Sequence, residues 1–157
     1  MRDAVRERAI WTIIKYKDAQ AFWLDEPYEV IHLLGNLLLN EGINYLWYLV
    51  CGNDYYYALD HEHALIGVGT SVTGIVASQT GLQGASQLYK AVEESYPIFG
   101  TDQKAVFKAV FDEDEANFAW NEFALSNGAI VVNRRVDAQG TKPVGQVWSV
   151  TLEIGFS

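Results

Sequence analysis

Period-two alternation of apolar and polar positions is clearest towards the two ends of the chain. Residues 8–17, RAIWTIIKYK, set Ile10, Thr12, Ile14 and Tyr16 on one face and Trp11, Ile13 and Lys15 on the other, the pattern of a β-strand rich in branched side chains. Both faces are largely apolar, so this strand calls for cover on two sides, from the core of its own domain and from a neighbouring subunit. Residues 146–156 put Trp148, Val150, Leu152, Ile154 and Phe156 on one apolar face against Ser149, Thr151 and Glu153, which reads as a half-buried, central strand. In residues 105–112, Val106, Lys108 and Val110 oppose Phe107, Ala109 and Phe111 in the same way. Weaker β-patterns place further strands at 28–34, 64–68, 82–93, 117–126 and 129–136. Gly128 and the stretch 137–145, DAQGTKPVG, carry hairpin chemistry, which points to antiparallel connections.

One segment breaks the alternation. Leu38, Leu39, Ile43, Leu46, Trp47 and Val50 recur at helical spacing, so a helix packed by this stripe on a sheet is expected over about residues 37–51. Asn36 stands at the N-cap position, and Gly52 follows at the place where helices close with a left-handed residue; Gly42 weakens the pattern in between. Residues 18–27 read as a loop or short edge strand carrying Phe22, Trp23 and Leu24, and residues 53–60 as a surface loop with Tyr55, Tyr56 and Tyr57 in succession. The expected fold is therefore mainly β, an antiparallel β-sandwich or jelly-roll-like domain with one substantial α-helix. No linker divides the chain, so residues 1–157 form one domain, large enough to bury roughly 70% of its unfolded surface.

Composition sharpens the class. With 50% hydrophobic, 13% aromatic and 20% charged residues, the chain can build a core, and an aromatic excess with few charges accompanies subunit contacts. A formal net charge of −9 argues against nucleic-acid and anionic-membrane partners, which are met by Lys/Arg-rich patches. The first ten residues, MRDAVRERAI, lack the apolar centre of a signal peptide, and the apolar run 37–51 is interrupted by Asn40, Glu41 and Asn44 and too short to span a bilayer. Cys51 is the only cysteine, so it forms no intramolecular disulfide, and it reads as a small buried hydrophobe.

Candidate chemistry is sparse. Asp60, His61, Glu62 and His63 gather potential metal ligands, and His-x-His on a strand would aim both rings one way; a third ligand would have to come from elsewhere, and a solvated loop explains the cluster as well. Asp112, Glu113, Asp114 and Glu115 lack the alternating ligands and glycine of a calcium loop and fit a solvated turn after a strand. Gly67, Gly69 and Gly74 lack the lysine and spacing of nucleotide loops and fit turn geometry. Ser71, Ser78, Ser86 and Ser126 have no nucleophile-elbow setting, and the adjacent Glu93 and Glu94 would point to opposite faces of a strand. On an alternating strand Phe118, Trp120 and Glu122 share a face opposite Ala119, Asn121 and Phe123, where the aromatic rings belong to a core more readily than to a sugar platform. No catalytic residue, cofactor-binding residue or metal ligand is assigned, and no cofactor is expected.

The succession GNLLLNEGINYLW, ALIGVG, QTGLQGA, YP, ANFAWNEFAL and NRRV, followed by a terminal β-strand, resembles small virion structural proteins of tailed bacteriophages, described as minor tail, tail-fibre-like or decoration proteins. The resemblance covers roughly residues 35–157 and lies in the order of the blocks. It implies a non-enzymatic subunit assembled in multiple copies on a tail, neck or capsid surface of a virion formed in the host cytoplasm, with copies of itself and other virion proteins as partners and neither nucleic acid nor membrane among them. Residues 1–27, with Trp11, Phe22 and Trp23, are then the expected assembly contact. Two other readings stand beside it: a carbohydrate-binding, receptor-contacting module using Tyr55–Tyr57 or Trp23 as a stacking platform, and a small metal-dependent enzyme built on His61 and His63.

Overall fold

A computed structural model describes residues 5–52 and 54–157. The chain forms two five-stranded antiparallel sheets packed face to face as a β-sandwich. Strands β1 (Glu7–Tyr16) and β2 (Glu29–Leu34) flank a short helix α1 (Ala19–Trp23) in sequence; β3 (Leu37–Leu38) and helix α2 (Asn40–Val50) follow, then β4 (Leu65–Gly69), β5 (Gln87–Ala91), β6 (Ile98–Phe99), β7 (Lys104–Phe111), β8 (Glu122–Ser126), β9 (Asn133–Val136) and β10 (Val147–Phe156). One sheet has the order β2-β1-β10-β7-β6 and the other β3-β9-β8-β4-β5.

The period-two pattern decides which side chains meet between the sheets. Trp11 and Ile13 of β1, Phe107, Ala109 and Phe111 of β7, and Trp148, Val150 and Leu152 of β10 all face inward and join one core with Ile66, Val68, Phe123 and Leu125 of the facing sheet. The aromatic rings interlock edge to face. Trp120 lies 4.9 Å from both Phe111 and Trp148, and Trp11 lies 5.9 Å from Phe123, arrangements that add about 0.5–1.5 kcal/mol per pair beyond simple burial. Strand β10 is central, paired with β1 on one side and β7 on the other. Trp11 belongs entirely to this core, so it is removed from the expected assembly contact.

The second apolar face of β1 is partly covered by the chain itself. Residues 18–27 contain helix α1, where a loop or edge strand was expected: Asp18 is extended and its Oδ1 accepts the Ala21 N–H at 2.7 Å, closing the first turn. Ala21 and Phe22 then pack over Tyr16, Val110 and Val147.

Helix α2 begins later than expected. Its N-cap is Leu39, with no side-chain cap, because Leu37 and Leu38 are held in β3 by β9 and the Leu39 N–H by Val132 O. Asn36 is not a cap; its amide donates to Glu7 and its oxygen accepts from Asn133 Nδ2 at 3.1 Å. Gly52 does adopt the left-handed conformation, with φ +80. The expected stripe is only partly the packing face: Leu39 is fully buried and Leu38 and Leu46 half-buried. Gly42 and Tyr45 are buried, whereas Ile43, Trp47 and Val50 face outward. A Cβ on Gly42 would lie 2.1 Å from Val132 O, so glycine is what lets the helix backbone rest on the chain at Val132, where it enters β9. Cys51, expected to be buried, is exposed at the end of this helix.

Three strands are shorter than their patterns. The expected strand 82–93 narrows to Gln87–Ala91, 117–126 to Glu122–Ser126 and 129–136 to Asn133–Val136. In the second case Ala116 has φ +51, and the Trp120 N–H turns to Gly140 O at 2.9 Å, so residues 117–120 are irregular and pair with the 137–142 segment, and only Asn121 reaches β4, its N–H donating to Gly69 O at 2.9 Å.

Candidate functional site

Three places on this frame carry enough polar, aromatic or exposed apolar groups to be weighed as sites. The first is internal. Glu122, at the start of β8, and Arg134, in β9, are both fully buried and form an ion pair, with Arg134 Nε 2.9 Å and Nη2 2.8 Å from Glu122 Oε2. The carboxylate also accepts the main-chain N–H groups of Gln83 at 2.9 Å, Gly84 at 2.7 Å and Ser71 at 3.3 Å. Arg134 Nη1 reaches Thr73 O at 2.9 Å and Gln79 Oε1 at 3.1 Å. All of these partners lie in the long connection between β4 and β5, which this pair holds against the sheet.

This arrangement corrects the reading of the glycines. Gly67, Gly69 and Gly84 are not at positive φ, so turn geometry does not require them. An added Cβ would lie 2.5 Å from the Tyr89 ring at Gly67, 2.4 Å from Glu122 Oε1 at Gly69 and 2.5 Å from Thr70 N at Gly84. They are clearance for a buried carboxylate and a tyrosine ring. Sequence reasoning missed the Glu122–Arg134 pair; the available signal was a lone carboxylate inside the apolar run EFALS.

The second place gathers tyrosines and histidines around the end of α2. Tyr56 packs between Tyr45, Tyr48 and Tyr55, and Tyr57 stacks flat on His63 with centroids 3.9 Å apart and an interplanar angle of 10°. His61 and His63 lie in a turn and diverge, where a strand was considered. His63 Nδ1 is 2.7 Å from Asp60 Oδ1, and His61 Nδ1 is 3.0 Å from Tyr96 O. Burial, the largest single influence, opposes ionisation of Asp60, but together its hydrogen bonds and charge contact with His63 hold the carboxyl below its usual range. Among the described residues, no group of three or more His, Cys, Asp or Glu side chains is placed to hold a metal ion.

Tyr45 donates its hydroxyl to Tyr57 O at 2.6 Å, and Tyr16 donates to Asp25 Oδ1 at 3.0 Å. Burial pushes both hydroxyls up to about 12, helped at Tyr16 by Asp25. Below pH 10 both tyrosines are protonated whether the chain is folded or not, and their contribution to stability is complete. Between about pH 10 and 12 the unfolded chain loses these protons first, so stability falls as pH rises. Alkaline titration followed by circular dichroism and tyrosinate absorbance should show unfolding in this window, and Tyr45→Phe should make the decline shallower.

The acidic run is a turn after β7, as expected, built over a buried cation. Lys142 Nζ donates to Asp112 O at 2.6 Å, while Lys90 bridges to Glu115 at 2.7 Å. Burial pushes the Lys142 ammonium down, opposed by the surrounding carboxylates of Glu115, Asp112, Asp114 and Glu113.

The third place is the outer face of α2 and the end of β10. Trp47 is 63% and Val50 74% exposed, beside Ile43 and Phe156. Two apolar grooves meet here, one of about 340 Å³ lined by Leu38, Ile43, Leu46, Trp47, Val50 and Phe156, the other of about 300 Å³ reaching from Leu46 and Phe156 towards Leu59, Phe107 and Leu125. A separate aromatic exposure occurs at Trp23, 81% exposed at the end of α1. Phe22, by contrast, lies between Trp23 and Tyr16 with ring contacts to both.

The fold defines a two-sheet antiparallel β-sandwich with an aromatic core, a buried ion pair that holds a loop, and further aromatic groups exposed on its surface. No family model, curated protein or solved structure matches this chain.

Proposed function

We propose that this protein is a non-enzymatic structural subunit of a tailed-bacteriophage virion, assembling in multiple copies on the tail, neck or capsid surface. The observation that carries the reading is the apolar surface of α2 and Phe156, where Trp47 and Val50 stay exposed although the helix is anchored by its other face. Contiguous exposed apolar groups of this kind mark interaction surfaces, and tryptophan is a favoured anchor within them. The block order that resembles phage virion proteins supplies the kind of assembly, and the exposed Trp23 supports a contact through residues 1–27. The acidic balance favours a position away from packaged DNA.

Quantitative mass spectrometry of purified particles tests this. The expected result is a copy number matching a symmetric ring or lattice; absence from particles, or a count far below any such symmetry, overturns it. The exposed Tyr57 ring, stacked on His63, favours a second reading, a carbohydrate-contacting module. Glycan-array binding lost in Tyr57→Ala would support it.

A further inference from the structure

The longest unpaired edge of the sandwich is β2, which pairs only with β1 in its sheet. The Gly35 N–H donates to Ala9 O at 2.8 Å, so along this antiparallel ladder the odd-numbered residues of β2 direct their main-chain groups to β1. Val30, His32 and Leu34 therefore direct theirs to the open edge. Among the described residues only Leu34 O has a partner there, Arg135 Nη1 at 2.6 Å. The strand has no proline or lysine between Glu29 and Leu34, the usual guards of an exposed edge. Its outward side chains are apolar at both ends, with Leu34 72% and Val30 47% exposed.

We infer that β2 pairs antiparallel with β2 of a second copy of this chain about a two-fold axis through His32. Side chains on one face pair only with residues of the same parity, and the open-edge groups belong to residues 30, 32 and 34. The register with His32 opposite His32 matches Val30 with Leu34 twice and engages the main chain of all three residues. It is self-complementary in packing. Within one copy Ile10 lies opposite Leu34, Thr12 opposite His32 and Ile14 opposite Val30. Across the axis these become two apolar rows, Ile10–Leu34–Val30–Ile14, on either side of a polar row in which each His32 contacts Thr12 Oγ1 of its own copy, 3.0 Å from Nδ1.

Charge agrees with this register. Glu29 lies on the inner side of the sheet, 2.8 Å from Lys15, and would stand opposite Gly35 of the second copy. There Arg135 approaches from the facing sheet, with Nη1 3.3 Å from Gly35 O and Nη2 2.9 Å from Asp137 Oδ2. Across the axis the Glu29 carboxylate of each copy would stand near the guanidinium of the other, beside its own Asp137. Edge pairing of this length is smaller than the roughly 1,600 Å² of a standard interface, a contact suited to repetition in an assembly.

The inference rests on the assembly reading only in taking a second copy as partner, and its test uses purified protein in place of particles. In a Cys51→Ser background, His32→Cys places two thiols at a hydrogen-bonded pair, where Cα atoms are about 5.5 Å apart, within disulfide range. Mild oxidation should give a covalent dimer from His32→Cys and none from Phe99→Cys on the opposite edge. Sedimentation of the unaltered protein should show a concentration-dependent dimer, lost in the double variant Val30→Lys/Leu34→Lys with an unchanged circular dichroism spectrum. A monomer at every concentration, or equal cross-linking through Phe99→Cys, overturns the pairing while leaving incorporation into particles untouched.

Discussion

Glu122→Ala should lower stability by about 3–5 kcal/mol, the cost of leaving a buried cation without its partner. The loss has two parts. Arg134 keeps its contacts to Thr73 and Gln79 but loses its counter-charge, and the N–H groups of Ser71, Gln83 and Gly84 lose the carboxylate that accepts them. Urea unfolding measures the sum. The double variant Glu122→Leu/Arg134→Met separates the parts, because replacing a buried pair by apolar groups is often close to neutral. Here it should recover only some of the loss, since the loop amides remain unsatisfied. Full recovery would mean that the amides find other acceptors and that the carboxylate does not hold the connection. Faster hydrogen exchange at Gln83 and Gly84 in Glu122→Ala than in the unaltered protein would show the connection released.

Gly42→Ala should also destabilise, against its helical propensity. Alanine in place of glycine inside a helix ordinarily gains about 1 kcal/mol. At this position the new methyl would sit 2.1 Å from Val132 O and 2.6 Å from Val132 Cα, and both are backbone of the facing segment. Either the helix lifts from Val132 or that segment moves, with a cost of about 1–3 kcal/mol, the range for overpacked cores. The matched control is Gly52→Ala: an added Cβ there meets nothing, but its φ of +80 imposes a backbone penalty. Differential scanning calorimetry measures the loss in both variants, and near-ultraviolet circular dichroism distinguishes crowding from strain, because only Gly42→Ala should alter the signal of the buried Tyr45. An increase in melting temperature for Gly42→Ala would show that the helix does not rest on Val132 as described.

The strands read most closely from the sequence are the long ones with a regular alternation, and the edge strand β2 is also placed within a residue. In β1, β7 and β10 alternation is imposed by one buried face, and the observed ends differ from the expected ones by a residue or two. The misread segments follow other rules. Residues 117–121 look strand-like because Trp120 and its neighbours alternate, yet the Trp120 indole is fixed by Ala116 O at 3.0 Å and its backbone by Gly140, partners that no local pattern encodes. In α2 the apolar stripe outweighs Gly42 in any periodicity count, but close approach of two backbones favours the glycine face and leaves Ile43, Trp47 and Val50 of the stripe outward. The internal ion pair joins residues from β8 and β9 with a connection far earlier in the chain, so its members look like unrelated surface charges until the sheets are assembled. The exposed aromatic surface was partly legible: Trp23 stands out where expected, while Trp11, similar in composition, is core.

The pairing of β1 with β10 sets a folding order. Ile13 meets Val150 and Trp11 meets Leu152, so the centre of one sheet closes a loop containing nearly the whole chain. Loop-closure entropy is met before those contacts form, which makes folding slow relative to domains built from neighbouring strands. Until β10 arrives, β1 offers an open edge and two largely apolar faces, and β2 and α1 are the local partners in sequence that can cover them.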